Sequence, residues 1–190
     1  MAENRMEDAM FAVAFEVLPS ETGYQRYLDI AAALRPKLDH IDGFVSVERF
    51  RSLTHPGWIL SLSLWRDEAA LVQWRSDAEH HAAQAEGRDA VFDDYRIRVI
   101  RMLDDPGAES GTLVGLREFP GAEETGKRFQ SLVHPDKQIS LLDFAGAQEA
   151  RTWLRQGASP RSRTLCGSVL RDYGLFERAA APQRFPEIRR

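Results

Sequence analysis

The chain has 190 residues, 43 % of them hydrophobic and 28 % charged, a balance that excludes a disordered polymer and leaves room for one domain or two small ones. The formal charge is −4, with 12 basic against 18 acidic residues up to Asp104 and 13 against 11 after it, so neither stretch carries the basic stripe that nucleic acid binding requires. No apolar run approaches the roughly 20 residues of a membrane span, the N-terminus lacks a secretory pattern, and one cysteine, Cys166, allows no internal disulfide. A cytoplasmic protein is expected.

The first strand is predicted over Met10–Leu18. Tyr24, Tyr27, Leu28, Ala31, Leu34 and Leu38 then recur at three- and four-residue steps and mark one face of a helix, which Pro36 bends or ends. Phe44–Leu53 and Trp58–Trp65 read as a hairpin turned by Pro56-Gly57. Along its second arm Trp58, Leu60, Leu62 and Leu64 alternate with Ile59, Ser61, Ser63 and Trp65. The all-apolar set is expected to meet the helices, and the mixed set, with Arg96 and Arg98, to line the other face. Asp67–Glu86 reads as one continuous second helix, N-capped by Asp67 and stopped at Gly87, and Tyr95–Leu103 as the fourth strand. The order β-α-β-β-α-β is the ferredoxin-like split arrangement, an α+β fold.

Residues 48–75 align without a gap on residues 127–154, with nine identities, among them Arg49/Arg128, His55/His134, Ser61/Ser140 and Trp74/Trp153. The constant offset of 79 points to a duplication. Around this second hairpin lie a strand at Thr112–Phe119, a short helix at about Gln148–Arg155 and a strand at Thr164–Phe176, followed by a loose tail from Ala179. Only Pro120–Gly126 separates the first of these strands from the hairpin, so the second copy is shortened and lacks the first helix. The polar linker after Asp104 sets the expected cut: 1–104 a complete copy, 105–190 a degenerate one with its tail. The uncovered sheet face needs a partner, from the same chain or from a second chain closing a barrel, and a homodimer is expected.

Gly43-Phe44-Val45-Ser46, Glu48-Arg49-Phe50, Leu60–Trp65, Trp74, His81, Gly87-Arg88 and Tyr95–Val99 together resemble the antibiotic biosynthesis monooxygenase family of the dimeric α+β barrel superfamily. The resemblance covers about residues 10–103, and Arg171-Asp172-Tyr173-Gly174 looks like the close of a family member. It implies oxidation of a small aromatic or quinol compound by dioxygen without a cofactor. The alternatives are a non-catalytic binding or assembly domain of the same fold and a haem-binding relative. In the haem-degrading branch an asparagine and a histidine stand where this chain has Phe15 and Gln84, which argues against haem.

On a continuous second helix Trp74 and His81, seven residues apart, share a stripe and His80 turns away. His81 is the expected proton-transferring residue and Trp74 a wall of the pocket, with Tyr24 and Tyr27 at its mouth and Phe15 and Phe50 completing the lining. For Trp74 the plainer reading is core packing, which Trp153 favours, and for His81 it is an exposed helix residue. Arg49 is expected either to pair with Glu48 or an acidic neighbour, or to orient an anionic substrate. His55 and His134, each before a proline, reflect shared turn geometry, and no metal site is expected.

Overall fold

The computed structural model describes residues 10–108, 111–120, 125–156 and 162–182. The extreme N-terminus, part of the linker, the Gly157–Pro160 stretch and most of the C-terminal tail lie outside them. In the first half, β1 (Phe11–Pro19), α1 (Gly23–Asp39), β2 (Phe44–Ser52) and β3 (Ile59–Trp65) are followed by two short helices, α2 (Glu68–Arg75) and α3 (Ala78–Glu86). A π-helical turn at Gly87–Val91 leads into β4 (Phe92–Met102). The second half comprises β5 (Leu113–Pro120), β6 (Lys127–Ser131), β7 (Lys137–Phe144), α4 (Ala147–Arg155) and β8 (Arg163–Gly174). No helix among the described residues is long and apolar enough to cross a membrane.

All eight strands join, antiparallel, in one closed barrel of order β1-β3-β2-β6-β7-β5-β8-β4. The halves meet at two seams, β2 with β6 and β4 with β8. At the first seam Phe50 faces Ser131, Arg51 faces Gln130 and Ser52 faces Phe129. Position 51 thus meets its own counterpart under the offset of 79, and the flanking bonds, Leu53 N to Arg128 O (2.8 Å) and Leu132 N to Arg49 O (2.9 Å), obey the same relation. The turns match too: Ser52 Oγ accepts from His55 N at 2.9 Å and Ser131 Oγ from His134 N at 3.0 Å, so both histidines sit in turns.

Closure corrects the expected assignment of faces. Leu60, Leu62 and Leu64 point into the barrel with Ala12, Ala14 and Phe50, against Leu116, Phe129, Ile139 and Leu141 of the second half. Ile59, Ser61, Ser63 and Trp65 face the helices instead. The physical reason is that a closed barrel supplies a drier interior than a sheet covered by helices, and each leucine gains about 1.5–3 kcal/mol by complete burial. Phe50, expected in the pocket, is therefore core inside the barrel, on the opposite face of β2 from Arg49.

One barrel region is polar. Arg98, 1 % exposed, donates through Nη2 to Glu16 (2.7 Å) and through Nη1 to Asp143 (2.5 Å), and Glu16, 3 % exposed, also accepts from Lys127 Nζ at 2.5 Å. This network spans both halves. Nearby, Glu48 accepts from Lys137 Nζ (2.6 Å) and Ser131 Oγ (2.5 Å), which removes it as a partner for Arg49.

Outside the barrel, α1 to α3 cover the first half. Its start is tightly docked: a Cβ on Gly23 would lie 2.2 Å from the Val91 carbonyl, so only glycine fits. Pro36 falls in the last turn and the helix continues to Asp39. In the second half α4 packs Ala150 and Trp153 on Leu113, Phe144 and Cys166. Burial pushes the Cys166 thiol up to about 11, which makes it an inert core residue.

Candidate functional site

A cavity of about 220 Å³ lies between α1–α3 and the outer face of β1, β2, β3 and β4. The strands supply its floor with Val13, Phe15, Val47, Arg49, Ser61 and Ile97, and the helices its roof with Leu34, Leu71, Trp74 and Ala83. Ser61 and Ser63 are present because the apolar set of β3 went inward. Arg171, Tyr173 and Pro182 close one end, so the second half contributes a wall. The register explains this: Arg171 and Tyr173 pair with Val99 and Ile97 of β4, which line the cavity themselves.

The expected single helix over 67–86 is broken. Asp67 caps α2 as expected, accepting from Ala70 N at 2.9 Å. Asp77 then caps a second start, its Oδ1 accepting from Glu79 N (3.0 Å) and His80 N (2.9 Å). The break resets the helical phase, so His80 and not His81 comes back to Trp74. The His80 ring stacks on the Trp74 indole with centroids 4.1 Å apart and planes 15° off parallel. Its Nδ1 lies 2.9 Å from the Trp74 carbonyl oxygen. A carbonyl only accepts, so Nδ1 carries the proton and Nε2 the lone pair. Burial pushes the pKa of His80 below the ordinary histidine value, and His81 pushes the same way. The Trp74 carbonyl and Asp77 oppose the shift without cancelling it. The imidazole is therefore neutral at pH 7.

Removing this cap tests the break. Asp77→Ala is expected to lower the denaturation midpoint, as loss of an N-cap does, measurable by chemical denaturation. It should also loosen the His80 stack, visible as a change in Trp74 fluorescence.

Of the residues expected at the site, Phe15, Tyr27 and Trp74 line the cavity together, whereas Tyr24, Phe50 and His81 do not. Tyr24 stands at the edge of the α1 stripe in its first turn and is 44 % exposed. His81 is exposed on α3. Phe15 and Tyr27 sit edge to face at 6.4 Å, and Arg49 Nε donates to the Tyr27 hydroxyl at 3.3 Å. Sequence reasoning missed His80, Arg75 and Tyr173. The signal for His80 was Ser76-Asp77-Ala78-Glu79, an N-cap with an acidic first turn inside the apparent helix. Among the described residues no cluster of three or more His, Cys, Asp or Glu side chains could hold a metal ion.

The second half handles its tryptophan differently. Arg117 of β5 faces Ser140 as Phe15 of β1 faces Ser61, so the two hold corresponding strand positions. The Arg117 guanidinium stacks 3.9 Å from the centre of the Trp153 ring and donates from Nη2 to the Trp153 carbonyl at 2.7 Å. These are the same two contacts that His80 makes with Trp74. Here a strand residue, not a helix residue, holds the tryptophan.

The antibiotic biosynthesis monooxygenase family model matches residues 10–86. Jasmonate monooxygenase ABM of Pyricularia oryzae is 36 % identical over 93 % of this chain and 99 % of its own length. The uncharacterized protein YqjZ of Bacillus subtilis is 32 % identical over 50 % of this chain and 82 % of its own. Among solved structures, PA3566 from Pseudomonas aeruginosa aligns at 15 % identity with a TM-score of 0.43, covering 50 % of this chain and 95 % of that one.

Proposed function

Because the chain belongs to the antibiotic biosynthesis monooxygenase family, we propose that it is a monooxygenase that oxidises a small, largely apolar molecule inside the cavity beneath α1–α3. The observation that carries this reading is the neutral His80 held against Trp74 in a chamber whose lining is mainly apolar around that pair. In the proposal His80 Nε2 takes the proton of a phenolic substrate, and Trp74, Phe15 and Leu71 hold the ring. The resulting electron-rich anion reduces dioxygen directly. One oxygen atom enters the ring as a carbonyl, the other leaves as water, and all four electrons come from the phenol as it becomes a quinone. The protein supplies the base, the orientation and exclusion of water. His81 has no role in it.

Oxygen uptake and product mass, measured with a panel of phenols, hydroquinones and jasmonate, test the proposal. Jasmonate belongs in the panel because the relative from Pyricularia oryzae is named for it. The cavity-filling variant Ala31→Trp is expected to lose at least about tenfold in rate while remaining folded, since its indole would occupy the substrate volume. Oxygen uptake no faster than the protein-free control with every compound would sink the proposal and leave a binding domain.

A further inference from the structure

The cavity's charge is lopsided. Arg35, Arg49, Arg75 and Arg171 line it, against a single carboxylate, Glu68. Arg35 is occupied by Asp39, with Nε 2.8 Å from Oδ1, and Arg171 stands 3.9 Å from Glu68. Among the described residues the Arg49 side chain bonds the Tyr27 hydroxyl. Arg75 has no hydrogen-bond or ion-pair partner among the described residues, and the Tyr173 hydroxyl no hydrogen-bond partner among them. Both border the cavity, Tyr173 buried and Arg75 half-buried. A guanidinium and a phenolic O–H left without acceptors at the edge of an apolar chamber are two donors awaiting an anion.

Their placement is specific. Glu68 and Arg75 are seven residues apart on α2, so they share its cavity-facing stripe about 10 Å apart. Arg171 and Tyr173 share one face of β8. Arg171 leans toward Glu68, and Arg75 lies at the other end of the stripe. Burial pushes the Tyr173 hydroxyl up, Tyr95 adds to this, and Arg75, Arg178 and Arg171 pull the other way. The hydroxyl stays protonated at neutral pH and can donate.

We infer that the ligand of this cavity carries a carboxylate, bound at the β8 end by the Arg75 guanidinium and the Tyr173 hydroxyl, with its apolar body directed toward Trp74 and Phe15. The inference deepens the monooxygenase proposal and rests on it for calling that ligand a substrate. It also gives the second half a task in the site, because Tyr173 comes from its last strand.

The experiment compares an acid with its own ester. Binding of octanoate and methyl octanoate is measured by calorimetry and by quenching of Trp65 and Trp74, which both line the cavity. Octanoate is expected to bind at least about tenfold more tightly than the ester. Arg75→Gln should abolish that preference and leave ester binding unchanged, and Tyr173→Phe should reduce it. A residue serving only the C-terminus of α2 would alter the melting temperature without touching the acid-to-ester ratio. Equal binding of acid and ester by the native protein, an unchanged ratio in Arg75→Gln, or no binding of either probe would overturn the inference. Turnover is scored separately. Carboxylate binding without oxygen uptake keeps the inference and removes the monooxygenase proposal, whereas turnover of neutral phenols with no acid preference does the reverse.

Discussion

Arg98→Met is expected to destabilise the barrel by about 3–5 kcal/mol, because it strands the Glu16 carboxylate where water does not reach. Arg98 is 1 % and Glu16 3 % exposed, and their 2.7 Å contact is a charged hydrogen bond wholly inside the protein. Lys127 would still touch Glu16, but its side chain is 34 % exposed and its charge is partly satisfied by solvent. Asp143, the other partner of Arg98, is 52 % exposed and can turn to water. The single variant therefore leaves one badly solvated charge. The double variant Glu16→Leu/Arg98→Met removes both buried charges and fills their space with apolar atoms, so it is expected to recover most of the loss. Equilibrium urea unfolding of the three proteins checks this. A single variant within 1 kcal/mol of native would mean that Glu16 reaches water through the barrel.

That network also shows what the sequence could not display. Arg98 was legible as facing away from the helices, but its partner Glu16 is 82 residues away and its other partner, Asp143, is 45. The strands themselves were readable from alternation: β1, β2, β3 and β5 begin and end within about one residue of their expected limits, since β-branched and aromatic runs bounded by turn residues are local signals. Face assignment is different in kind. Period-two alternation separates Leu60, Leu62 and Leu64 from Ile59, Ser61, Ser63 and Trp65 but does not say which set meets helices. That depends on whether the sheet closes, and closure is decided by the two seams between halves. The antiparallel pairing that places position 51 opposite position 130, its counterpart under the offset of 79, closes within one chain the face expected to need a partner from the same chain or a second one.

The site was half legible for a related reason. Phe15 and Tyr27 lie on elements of the expected type, and Trp74 lies before the break in the expected second helix, so all three line the cavity. The expected place of His81, seven residues on from Trp74, requires an unbroken helix, and the Asp77 cap breaks it. A local, well-understood motif, competing with a longer periodic pattern, won. Tyr173 was visible only as part of a family-like ending, because nothing local ties residue 173 to a cavity otherwise lined mainly by residues 13–99.

His80→Ala is expected to lower turnover about 10²- to 10⁴-fold, the usual worth of a positioned base, with substrate binding little changed, whereas His81→Ala should leave the rate within about twofold of native. The pH profile supplies the readout that a merely structural histidine would not move. Burial holds the folded-state pKa of His80 below the ordinary value near 6.5, so Nε2 keeps its lone pair into mildly acidic solution. The acid limb of kcat/KM should therefore fall below pH 6.5 in the native protein and vanish in His80→Ala. Stability must follow the same group with a definite sign. The unfolded chain takes up the proton first as pH falls, so the contribution of neutral His80 is complete above the unfolded value near 6.5 and declines from there toward the lower folded value. In His80→Ala that part of the acid slope in the unfolding free energy disappears. An acid limb above pH 6.5, or a limb that survives in His80→Ala and is lost in His81→Ala, would return the proton transfer to the neighbouring histidine and leave the stacked ring of His80 as packing for Trp74.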